Sequence, residues 1–65
     1  MLLKLEIQKT DGSEFNVMRT LIVASKDTSE YEKALKDLRG QREMWSRDYH
    51  RGRKFQITCD NKPIE

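Results

Sequence analysis

The chain has 65 residues, which is one domain and no more, and 37% of them are charged while the net charge is only +2. A domain of this size buries roughly 60% of its unfolded surface, so its core is thin without a disulfide, a metal or a second copy. One cysteine excludes an internal disulfide, and a single histidine beside it excludes a closed zinc site, so self-association is the support that remains.

The lone thiol fits a reducing compartment. Met1-Leu2-Leu3 is followed at once by Lys4 and Glu6, too soon for a secretory apolar region or a membrane span. A cytoplasmic protein is expected.

Leu3, Leu5 and Ile7 alternate with Lys4, Glu6 and Gln8, the period of a strand with one buried face, over about residues 2–9. Thr10-Asp11-Gly12-Ser13 is hairpin chemistry. A three-residue loop, Thr10 to Gly12 with Gly12 left-handed, sets Ile7 opposite Phe15 and Leu5 opposite Val17. A two-residue Asp11-Gly12 loop would instead put Ile7 against Asn16 and mix the two faces. The three-residue loop is therefore expected, with a second strand over about 14–24. It leaves Leu3 facing Arg19, so a bulge, a twist or an early end to pairing belongs there.

Asp27, with Glu30 three residues on, reads as a helix cap, and a helix over about 28–51 follows. Gly40 interrupts its good helix formers. At about 100° per residue, however, Tyr31, Ala34, Leu35, Leu38, Trp45 and Tyr49 share an arc of roughly 100°, with Arg42 the only charge inside it. Two unrelated helices would have no reason to keep that phase, so one helix runs through Gly40 and ends in a left-handed residue at Gly52. Such a helix is ~36 Å long over strands of ~23 Å, so its last turns, with Trp45 and Tyr49, overhang the sheet.

Phe55, Ile57 and Cys59 face one way on a third strand, about 53–59, with Cys59 expected as a small core residue. Asp60-Asn61-Lys62-Pro63 is a turn, and the tail over 60–65 is expected to fray, since Pro63 ends any ladder. The fold class is α+β: a single ββαβ domain over 1–65, with a three-stranded, mainly antiparallel sheet in the order 2-1-3 and one long helix on one face.

The charge is unevenly spread. Residues 1–38 carry six basic and seven acidic side chains, whereas residues 39–54 carry six basic (Arg39, Arg42, Arg47, Arg51, Arg53, Lys54) against Glu43 and Asp48. That segment is the one candidate site. Its first reading is a protein-binding surface with Arg42, Trp45 and Tyr49 as anchors and Arg39, Arg47 and Arg51 steering toward an acidic partner, or a homodimer contact. The alternative is a nucleic-acid contact by Arg39, Arg47, Arg51, Arg53 and Lys54. The bland account is a solvated face with cations near a helix C-terminus, helped by ion pairs to Glu43 and Asp48.

No catalytic, metal-ligating or cofactor-binding group is expected. A Cys59–His50 dyad lacks a third group to orient it, His50 belongs to the exposed last turn, and no glycine-rich loop is present. A hollow of ligand size is not expected from three strands and one helix. The expectation is a small intracellular regulatory or inhibitor-type protein, not an enzyme, acting by binding another protein, with no membrane or small-molecule partner. The size and ββαβ layout resemble those of small regulators and host-directed inhibitors encoded by phages and mobile elements. That resemblance is of topology and carries no shared motif.

Overall fold

The computed structural model describes all 65 residues and contains β1 (Leu2–Gln8), β2 (Phe15–Ile22), α1 (Ser29–Asp48), β3 (Phe55–Cys59) and β4 (Lys62–Pro63). The sheet is antiparallel throughout in the order β2-β1-β3-β4, with α1 packed on one face. This is the expected α+β layout with β1 and β3 central and one strand more than three.

The fourth strand corrects the frayed tail. Asp60 and Asn61 both have positive φ, 49° and 69°, the backbone of a two-residue type I′ hairpin turn. They fold the chain back so that Cys59 pairs with Lys62 and Thr58 with Pro63. Pro63 sits at an edge, where its missing donor costs nothing. Beyond it, Ile64 donates to the carbonyl of Ile57 (2.8 Å) and Ile57 donates to the carbonyl of Glu65 (3.1 Å).

The first hairpin also differs from expectation. The loop is four residues, Thr10 to Ser13, closed by Lys9 donating to the carbonyl of Glu14 (2.7 Å) and by Gly12 donating to that of Lys9 (2.8 Å). Gly12 is left-handed at φ 77°, as expected. The Asp11 carboxylate takes the Ser13 hydroxyl at 2.7 Å and its amide at 2.9 Å. Those bonds, the hydroxyl first, hold the Asp11 carboxyl below its usual range.

The extra residue moves the register by one, so Ile7 pairs with Asn16 and Gln8 with Phe15. Phe15 and Val17 therefore turn to the open face, against expectation. A bulge then corrects the phase: Glu6 pairs with Val17 and Leu5 with Arg19, leaving Met18 over. Past it, Leu3 pairs with Leu21, and the helix-facing side of β2 becomes Arg19 and Leu21. The Arg19 guanidinium reaches α1, donating to Gln41 Oε1 at 2.6 Å and pairing with Asp37 at 2.9 Å.

The helix begins one residue later than expected. Thr28 is the cap, its Oγ1 accepting from the Tyr31 amide at 3.2 Å. Glu30 then sits at the second helical position, so the capping box with Asp27 does not form. α1 runs unbroken through Gly40, as the shared phase requires. It ends at Asp48 with Tyr49 as C-cap, sooner than Arg51, and Gly52 takes the left-handed conformation at φ 76° four residues past the helix.

The core is Leu3, Leu5, Val23, Ala34, Leu35, Leu38, Ile57 and Cys59, with Met1, Leu21, Tyr31, Trp45 and Phe55 packed around it. Only ten residues are buried, so each carries a large share of the fold. No helix is long and apolar enough to cross a membrane.

Candidate functional site

The C-terminal half of α1 has an inner side facing β3 and the tail, and an outer side facing solvent. The structure divides the predicted site residues between them.

Arg39 and Arg42 lie on the inner side and converge on the Glu65 carboxylate. Arg39 donates to Oε2 through Nε at 2.6 Å and again through Nη2, while Arg42 Nη2 lies 3.3 Å from Oε1. The hydrogen bonds from Arg39 hold the Glu65 carboxyl below its usual range, and the charges of both arginines add to this. Glu65 in turn raises the Arg39 guanidinium. The two arginines expected to meet a partner are thus already met within the chain, by the tail that β4 brings back.

Beside them is an open hollow of about 580 Å³ lined by Arg39, Arg42, Glu43, Ser46 and Phe55. A hollow of that volume was not expected; it arises where the second half of α1 stands over the start of β3. It is a saucer with one apolar wall, unlike the enclosed, largely apolar clefts that hold small ligands.

Trp45, expected as an anchor, is half-buried. Its indole packs against the core and meets the His50 ring edge-on at 6.2 Å, and His50 meets Phe55 at 6.3 Å. The three rings form an edge-on row from the end of α1 to the start of β3. His50 is half-buried in the turn after the helix, not exposed on its last turn. The Tyr49 and His50 amides both donate to the carbonyl of Trp45, at 3.1 and 2.6 Å, which ends the helix and turns His50 inward. Tyr49 is left 72% exposed.

Arg53 is also structural, capping the carbonyl of Gln8 through Nε at 3.0 Å and through Nη2. Arg47 and Arg51 remain exposed at the end of α1, and Lys54 is exposed just before β3. Arg47 makes one loose pair with Asp48 at 3.3 Å, and Arg51 Nε donates to the Arg47 backbone carbonyl at 2.8 Å, folding the Arg51 side chain back onto the end of the helix. Met44 is 38% exposed near them.

Sequence reasoning passed over Lys33 and Lys36, which stand exposed on the same outer side and make no ion pair. Lys33, Gly40 and Arg47 recur at heptad spacing with Lys36 on the same phase, and that was the available signal. Cys59 is a buried core residue, as expected. No three His, Cys, Asp or Glu side chains converge to hold a metal ion. Comparison with protein families, with curated proteins and with solved structures finds no match to this chain.

Proposed function

We propose that this chain is a small, non-catalytic regulatory module that acts by binding a partner with a negatively charged surface. The recognition element is the outer side of the C-terminal half of α1. One observation carries the reading: Arg47, Arg51 and Lys54 stand exposed in the same stretch of chain as the exposed Met44 and Tyr49. Arginine, tyrosine and methionine are the residue types enriched at protein interfaces, so an inhibitor-type contact with an acidic protein is the first form of the reading. The nucleic-acid form uses the same cations on phosphate.

Homodimerisation is part of the proposal, carried by a separate feature. β2 is an open edge, with Val17 and Ile22 exposed by 50% and 80%.

Retention of partners from lysate on the immobilised protein, with and without nuclease, is the test. Arg47→Glu with Arg51→Glu should release what the wild type retains while leaving the circular dichroism spectrum unchanged. Retention that survives this double reversal refutes the proposed surface.

A further inference from the structure

The outward face of α1 carries a line of cations longer than the C-terminal cluster. At about 100° per residue, Lys36, Arg47, Gly40, Lys33 and Met44 fall in this order within an arc of about 80°, directly opposite the buried Ala34, Leu35 and Leu38. No acidic residue lies inside the arc. Asp37 flanks one side and is held by Arg19, Asp48 beyond it is held loosely by Arg47, and Glu43 flanks the other side next to the hollow. Arg51 joins the line through its bond to the Arg47 carbonyl.

Lys33, Lys36, Arg47 and Arg51 therefore form two cation pairs at opposite ends of one rigid rod. Lys36 and Arg47 are about 16 Å apart along the axis, and Lys33 and Arg47 about 21 Å. Midway stands Gly40, with open space where its side chain would be.

On the nucleic-acid form of the proposed function as its basis, we infer that the partner is a nucleic-acid duplex, with the outer face of α1 laid across a groove. Lys33 and Lys36 rest on one phosphate ridge, Arg47 and Arg51 on the other, and the bare Gly40 stands over the gap. A groove about 12 Å wide between ridges suits cation pairs at this separation, given the reach of lysine and arginine side chains. The contact is to backbone phosphate and reads no base sequence.

Other occupants fit the face less well. A protein interface needs an apolar centre, and Met44 is the only apolar residue on the arc. A membrane helix inserts its apolar face, and that of α1 is already spent on the sheet. Single strands stack on exposed aromatic rings, and the exposed ring here, Tyr49, has the helical phase of the buried stripe and not of the arc, while Trp45 and Phe55 pack against the core.

The test is fluorescence anisotropy of the full chain with a short mixed-sequence duplex DNA, the matching duplex RNA, the single strand, and phosphatidylserine vesicles. Four phosphate contacts give a slope of log affinity on log salt of about −3.6, or roughly a 150-fold loss between about 50 and about 200 mM salt. Lys33→Gln with Lys36→Gln should halve the slope to about −1.8 and reduce that loss to roughly 12-fold. Lys9→Gln with Lys62→Gln removes the same charge from the base of the first hairpin loop and the far edge and should leave the slope unchanged. Gly40→Glu, whose Cβ meets no neighbour in the fold, should abolish binding.

The inference is overturned by a slope that Lys33→Gln/Lys36→Gln does not alter, by single strand or vesicles bound as tightly as duplex, or by no duplex binding at about 100 µM protein in low salt. Should duplex binding fail while nuclease-resistant retention remains sensitive to Arg47→Glu/Arg51→Glu, the inference falls and the proposed function stands. Failure of both assays removes both.

Discussion

Replacing Gly40 by alanine should make the protein more stable, and the structure sets the size of the gain. Gly40 lies inside α1 at an ordinary helical φ, and a Cβ built there meets no atom within 4 Å. No clash opposes the change and no new packing assists it. What remains is the intrinsic preference of alanine over glycine in a helix, about 1 kcal/mol, part of which is entropy removed from the unfolded chain. For a domain of this length that raises Tm by about 4–8 °C.

Gly52 is the internal control. Nothing crowds it either, but its φ of 76° is the left-handed region, where a side chain costs about 1–2 kcal/mol. Gly52→Ala should therefore lower Tm by at least as much as Gly40→Ala raises it. Thermal and urea unfolding followed by far-UV circular dichroism measures both, with the urea slope expected to stay constant. A Gly40→Ala protein less stable than wild type would mean that the helix is broken at that residue, and the shared-phase argument would fail with it.

Leu38 is fully buried at the centre of the core, so Leu38→Ala should cost about 2–5 kcal/mol. Against a total of about 3–10 kcal/mol for 65 residues, the variant should lose roughly half of its stability, read as a lower Tm and urea midpoint by circular dichroism. Trp45→Ala should lower Tm, since the indole supports His50 and the core, whereas Tyr49→Ala should leave Tm unchanged and act only on partner retention. Asn61→Ala should loosen β4 and lower Tm, while Asn61→Gly, which accepts positive φ, should not. Glu65 is ionised more readily in the folded chain than in the unfolded one, so its pair with Arg39 and Arg42 adds stability at neutral pH. That contribution falls away as pH drops through and below the ordinary carboxylate range. The Tm difference between wild type and Glu65→Gln, measured against pH, should close in acid, and a gap that persists there would refute the assignment.

Much of the fold was legible because local patterns and global packing agree. Leu3, Leu5 and Ile7 alternate without exception, and the stripe from Tyr31 to Trp45 keeps one phase across Gly40, so β1 and α1 could be drawn from periodicity. Positive φ at Gly12 and Gly52 followed from the need for a residue without a Cβ at those turns. The hairpin register was misjudged because the choice between loops rested on keeping Phe15 and Val17 inside. The chain instead accepts both outside and restores phase with a bulge at Met18, whose benefit, Arg19 reaching Asp37 and Gln41, is visible only once the helix is in place.

For the site, the distinction is between charge and its neutralisation. Composition along the chain by itself determined that residues 39–54 carry an excess of cations, because charge is a property of the residue. Which cations remain free was decided by tertiary structure. The Asp60-Asn61 turn returns Glu65 to Arg39 and Arg42, the end of β1 occupies Arg53, and Trp45 packs against the core and the edge of His50. Lys33 and Lys36, unremarkable in the sequence, align with Arg47 because a helix repeats every 3.6 residues and its other face is buried. Ion pairing and burial depend on distances between residues far apart in the chain, and those distances exist only after folding.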